Sequence, residues 1–229
     1  MAANVIDSGR LADTYDAHGR ARREAMTRPD RLDEQIAFLV EIDKLKTILR
    51  QTPISDGSRR ENTAEHSWHL AMFAVVLAEH APEPVDVSKV IVMLLLHDIV
   101  EIDAGDTFIY AAANAAVAAQ QEADELAAAH RIFSMLPIDQ AARLRAVWDE
   151  FEAKETAESK FAKTIDRLQP MLLNRVSGGG SWRTHGIAAD KTRRLIQATM
   201  QPGSVLSAYA FELVEQAVAE GLLLPDPND

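Results

Sequence analysis

His97 and Asp98 close an apolar run, Val90-Ile91-Val92-Met93-Leu94-Leu95-Leu96. Burying such a pair costs on the order of 2–7 kcal/mol per unpartnered group. A divalent metal ion would satisfy both side chains, taking a neutral imidazole nitrogen and a carboxylate oxygen together. Glu101 follows four residues after His97 and three after Asp98, so on a helix it shares their side. A carboxylate beside a metal-bound water is a natural general acid or base. Gly105 frees the backbone before Asp106, which can then bend back toward the same place.

Two further candidates lie elsewhere in the chain. His66 falls on one helical stripe with Leu70, Phe73 and Leu77, and two antiparallel buried helices could bring it to the ion that His97 holds. Asp166, in Lys163-Thr164-Ile165-Asp166-Arg167-Leu168, sits mid-helix, where Asp is a poor helix former with no cap to make. Each signal alone has an ordinary explanation: a lone histidine on an apolar face is more often a hydrogen-bonded core residue, and a His-Asp pair arises often by chance. Together, His66, His97, Asp98 and Asp166 point to a metal site. Lys163, one turn before Asp166, either adds positive charge there or lies on a solvated face. His69 either faces the same pocket or packs beside Trp68, and packing is the favoured reading. His18, His80 and His130 read as surface residues, and the Arg20, Arg22, Arg23 run and the Arg193-Arg194 pair as solvated faces.

The elements that must position these residues are helical. Leu32, Ile36, Leu39, Val40, Ile42, Leu45 and Ile48 recur at helical spacing and predict a helix from about 30 to Pro53, followed by a turn at Ile54–Ser58. A second helix runs from about Asn62 to His80, capped by Asn62 or Thr63. A third begins at Asp86 or Val87 and, being apolar on every side, is expected to be buried all round. Further helices are expected near 111–130, 138–153, 156–175, 188–200 and 204–221, with no strand pattern. The segment Ser177-Gly178-Gly179-Gly180-Ser181-Trp182 reads as a flexible loop. It is either a lid, with Trp182 stacking on a base and Arg183 or His185 touching phosphate, or a plain connection in which Trp182 anchors to the core. The expected organisation is an N-terminal arm over 1–29, one all-α domain over 30–221, and a disordered tail over 222–229.

The order His66, His97-Asp98, Asp166 resembles the signature of the HD-domain phosphohydrolases. It is most similar to the branch holding the bacterial 5'-deoxynucleotidases and the human HD-domain-containing protein 2. The matching text is Glu61-Asn62-Thr63-Ala64-Glu65-His66-Ser67, His97-Asp98-Ile99-Val100-Glu101, Gly105-Asp106 and Lys163-Thr164-Ile165-Asp166. The resemblance implies a helical bundle around one divalent ion such as Co2+, Mn2+ or Mg2+, and removal of phosphate from a (deoxy)nucleoside 5'-monophosphate. It implies Glu101 as the handler of the water's proton, Asp106 near sugar and water, and Arg50 as the phosphate grip, a role suited to a planar bidentate guanidinium. The chain departs from that branch at Gln51, where the branch has tryptophan. It departs also at the turn Asp56–Arg60 and at the segment Gly178–His185.

With 47% hydrophobic and 26% charged residues, the 229-residue chain can build a core. A net charge of −11 argues against a nucleic-acid polymer as partner and leaves a small phosphate ester open. The absence of cysteine excludes thiolate metal sites and cysteine nucleophiles. No run is long enough to span a bilayer, no signal peptide is evident, and a cytoplasmic location is expected. The rival readings are an HD-type phosphodiesterase or guanosine tetraphosphate hydrolase, a di-iron oxygenase, and a non-catalytic nucleotide-binding domain. A homodimer is also possible.

Overall fold

A computed structural model describes residues 31–110 and 115–226, with side chains from 117 onward in the second stretch. The expected arm over 1–29 lies outside the described residues. The helix expected from 30 to Pro53 is three elements. Helix α1 (Arg31–Ile42) gives way to a 3-10 turn (Asp43–Thr47) and then to strand β1 (Leu49–Pro53), paired antiparallel with β2 (Arg60–Asn62). Leu45 and Ile48 keep helical spacing across this change because the 3-10 turn also returns a residue to the same face every three positions. The turn between the strands is built as its residues suggest: the Ser58 amide donates to Asp56 Oδ1 at 2.9 Å and Gly57 takes φ 71°. Arg60 reaches back across the pair, its guanidinium donating to the carbonyls of Arg50 and Leu49.

Helix α2 (Thr63–Leu77) starts on a capping box in which the Glu65 amide donates to Asn62 Oδ1 (2.9 Å) and the Asn62 amide to Glu65 Oε2 (3.1 Å). Helix α3 (Val87–Leu96) is capped by Asp86, which accepts from the Ser88 and Lys89 amides. It packs on α2, α6 (Ile138–Ala153) and α7 (Ala157–Val176). It is not buried all round: Val90, Met93 and Leu94 are sealed, but Val92 and Leu95 face solvent because three neighbours leave one strip uncovered.

Between α3 and α6 come the short α4 (Glu101–Ala104) and α5 (Ala115–Phe133). After α7 come α8 (Gly180–Thr184), α9 (Ala189–Thr199) and α10 (Val205–Ala219). The segment expected to be a flexible loop therefore holds a helical turn. A Cβ on Gly180 would lie 2.8 Å from the Pro53 ring and 2.5 Å from Asn174 Oδ1, so this turn sits directly on β1 and α7. The expected tail from 222 is docked as far as 226. Leu223 is buried, the Leu224 amide donates to the Ile187 carbonyl (3.0 Å), and Arg193 holds Asp226 (2.7 Å). An apolar side chain, backbone bonds to Ala217, Ile187 and Ala189, and an ion pair fix a stretch whose Pro-Asp composition reads as unstructured.

Two apolar clusters form. One joins α2, α3, α7, α9 and α10; the other joins α1, α5, α6 and the turn Ile99-Val100. Leu94 belongs to the first and Leu96 and Ile99 to the second, so His97 and Asp98 stand at the seam.

Candidate metal and phosphate site

The two histidines arrive from different helices and their remote nitrogens are already committed. His97 Nδ1 lies 2.8 Å from the Leu94 carbonyl, which can only accept, so this nitrogen carries the proton. His66 Nδ1 lies 3.1 Å from Gln169 Oε1, and there too the imidazole donates. Both Nε2 lone pairs are left facing one point, where they meet carboxylates. Asp98 Oδ2 is 3.0 Å from His97 Nε2 and 3.9 Å from His66 Nε2; Asp166 Oδ1 is 3.6 Å and 3.1 Å from the same atoms. His97 Nε2 is buried without a hydrogen-bond partner. Lone pairs converging in a buried seam repel unless a cation stands between them. His66, His97 and Asp98 offer ligand atoms within 4.8 Å of one another, and this donor set of neutral imidazole and carboxylate fits a divalent metal ion.

The electrostatics agree. Burial opposes a charged His97, yet Asp98 and Asp166 outweigh it and push the imidazole up to about 10: with no metal, a proton fills the gap. Burial would likewise raise Asp98 and Asp166, but His97 with Arg50, and Arg167 with the histidines, hold both carboxyls below the ordinary range.

Glu101 stands on α4 beside this centre. Its Oε2 accepts from Thr63 Oγ1 at 2.8 Å, and burial, reinforced by Asp98, raises its carboxyl well above the usual value. Asp106 follows Gly105 (φ 76°) and turns back as expected; burial raises it as well. Arg50, carried inward by β1, donates to Asp98 Oδ2 at 2.7 Å and lies 3.6 Å from Asp106 and 3.7 Å from Glu101.

A cavity of about 280 Å³ opens on these groups. One wall is the face of α7 that carries Lys163, Asp166, Arg167, Pro170 and Asn174. Lys163 is not on a solvated face. Its ammonium lies 4.3 Å from the Phe151 ring centre and 3.8 Å from Asp166, and burial lowers its pKa. Trp182 lines the cavity but is locked in the core, donating to Tyr110 Oη at 3.3 Å, so it anchors and does not swing as a lid. Arg183 is exposed and turned back over its own turn toward the Gly178 carbonyl, outside the cavity. His185 is also outside, but its Nε2 sits 3.2 Å from Gln51 Oε1 and its ring 4.4 Å from Phe108, both of which line the cavity. The aromatic and glycine content that suggests a lid serves packing instead.

Four contributors carry no signal in the reading of single residues. Glu61 and Gln169 are both buried; Gln169 Nε2 donates to Glu61 Oε1 at 2.7 Å and lies 3.2 Å from His69 Nδ1. Thr63 supports Glu101, and Arg167 faces the cavity with its Nε buried and unbonded. Gln169 lies three residues after Asp166 on α7, and that spacing is the one clue to it in the sequence. His69 packs beside Trp68 as expected, with ring centres 6.0 Å apart.

A helical bundle that gathers His66, the His97-Asp98 pair and Asp166 around one point is the arrangement of an HD domain. The chain belongs to the HD domain family, whose sequence profile matches residues 42–205. It is 26% identical over 138 residues to the human 5'-deoxynucleotidase HDDC2, a match covering 60% of this chain and 65% of that protein. It is 29% identical over 154 residues to the 5'-deoxynucleotidase of Erwinia tasmaniensis, covering 63% of this chain and 75% of that one. The crystal structure of a protein from Magnetospirillum magnetotacticum MS-1, described as a predicted metal-dependent phosphohydrolase, is 52% identical with a TM-score of 0.77. That match covers 86% of this chain and all of the other.

Proposed function

We propose that this protein is a metal-dependent phosphomonoesterase acting on a small phosphorylated metabolite, most suitably a nucleoside or deoxynucleoside 5'-monophosphate. The observation that carries the reading is the convergence of two Nε2 lone pairs and two carboxylates beside the buried Glu101. His66, His97, Asp98 and Asp166 would hold one divalent ion, Co2+, Mn2+ or Mg2+. When bound, such an ion supplies Lewis acidity toward phosphate oxygens and lowers the pKa of water. Glu101, a carboxyl that burial raises well above its usual value, takes or returns the proton of the attacking water, with Thr63 fixing its direction. Asp106 orients that water or a sugar hydroxyl.

Arg50 holds phosphate from one flank and Lys163, with Arg167, from the other; Gln51 and Tyr110 line the cavity beyond. The 5'-deoxynucleotidase names of the human and bacterial relatives support the substrate class. Gln51 stands in place of the branch tryptophan, so the deoxy preference is not carried over. Two copies of the chain pair through the exposed stripe Trp68, Met72, Val75 and Val76 of α2.

The test is phosphate release across a panel of ribo- and deoxynucleoside monophosphates, using protein stripped with chelator and reloaded with each ion. Turnover that vanishes on stripping and returns on reloading is expected. A protein that binds Co2+ tightly but hydrolyses none of the panel would fail the nucleotide reading.

A further inference from the structure

Metal binding at His66 requires its Nε2 to be bare, and the groups behind the ring supply the reason it is. Gln169 can present either its oxygen or its NH2 group to His66 Nδ1, since the two ends of a carboxamide have the same shape. Its surroundings leave no choice. Glu61 Oε1, at 2.7 Å, is a carboxylate oxygen that can only accept, so an N–H of Gln169 faces it, the amide oxygen faces His66 at 3.1 Å, and His69 Nδ1, 3.2 Å from the same NH2 group, is left to accept. Glu61 Oε2 also lies 3.5 Å from His66 Nδ1 and has no other hydrogen-bond partner. Glu61 and Gln169 are 2% and 0% exposed, so water is not at hand to replace any of these bonds.

We infer that Glu61 and Gln169 form a polarity lock that fixes the protonated nitrogen of His66, and thereby keeps its inner nitrogen free for the metal. They are positioning residues, acting through His66 and touching no reacting atom. The lock explains why a carboxylate is kept buried 4.0 Å from Arg50 Nε without a bonded cation of its own. If Glu61 became a carboxamide, Gln169 could turn over, aim its NH2 at His66 Nδ1 and force the proton onto the inner nitrogen. This inference rests on the metal-site reading above.

The test is Co2+ affinity of the stripped full-length protein, measured by titration of the visible absorption of the bound ion, with thermal melting as a fold check. E61Q, which lets Gln169 turn over, should bind Co2+ about 10–100-fold more weakly than wild type. The exchanged pair E61Q/Q169E restores an acceptor at His66 and a donor at position 61, and should recover most of that loss. An E61Q variant that binds Co2+ within about threefold of wild type, or a double variant no better than E61Q, would overturn the lock. If a charged exchange fails to fold, Q169M decides. It matches glutamine in shape but cannot accept strongly from Nδ1, so tenfold or greater weakening is expected and unchanged affinity overturns the lock. A wild-type protein that binds no Co2+ at all is a different result, and rejects the metal site itself.

Discussion

The division of labour among carboxylates follows from their neighbours. Asp98 and Asp166 face imidazoles and arginines and stay ionised; Glu101, with Thr63 as its hydrogen-bond donor and Asp98 near, is held toward its acid form. Glu101→Gln keeps size and hydrogen bonding but cannot move a proton. It should retain bound metal and lose about 10²–10⁴-fold in turnover, as metal analysis beside single-substrate kinetics would reveal. Loss of the ion in that variant would make Glu101 a ligand.

His97 gives a second prediction at the same scale. In stripped protein its folded pKa is about 10 against an ordinary 6.5, so between these values the folded state binds a proton that the unfolded state does not. The stabilisation is complete below about 6.5 and is lost as pH rises through about 10. Melting temperature of the stripped protein should therefore fall across that window, and metal-loaded protein should not show this fall, since the ion takes the proton's place.

At the scale of elements, the site depends on where helices and strands begin. His66 occupies the fourth position of α2, and the capping box at Asn62 sets that helix's first turn. Asn62→Ala should cost about 0.5–2 kcal/mol of stability, seen as a lower denaturation midpoint, and loosen metal binding before it unfolds the chain. What was legible in the sequence tracks this scale closely. His97-Asp98 and Asp166 stand out because their polarity contradicts an apolar or helical surrounding, a conflict visible locally. Glu61 and Gln169 offer no such conflict, for Glu61 lies in a polar stretch and glutamine is at home in any helix. Only in the fold do they meet, buried, through the bond from Gln169 on α7 to Glu61 on β2. Strand β1 escapes because five residues with an irregular burial pattern give no alternation to read. Trp182 shows its size in the sequence but not its direction, which Tyr110, 72 positions away, decides.

For the whole molecule, a chain of net charge −11 would attract the proposed phosphorylated substrate with a few inward cations. Arg50, Lys163 and Arg167 all line the one cavity where they are wanted. Among the described residues no helix is long and apolar enough to cross a membrane. Trp68, Met72, Val75 and Val76 recur at i, i+4, i+7 and i+8, which makes one continuous ridge suited to self-pairing. If the proposed dimer forms, Trp68→Glu should convert it to a monomer in sedimentation while leaving the metal site loaded. A wild-type protein that is already monomeric at high concentration would refute the pairing.

Gly180 has a bearing on how such a protein can be altered. The strand that delivers Arg50 leans on a contact only a hydrogen atom thick, with no room there for even a methyl group. Anyone grafting or randomising the 178–185 segment would find this position closed, beside a Trp182 that the core already holds. The cost of ignoring it would surface at a distance, as a misdirected guanidinium across the cavity.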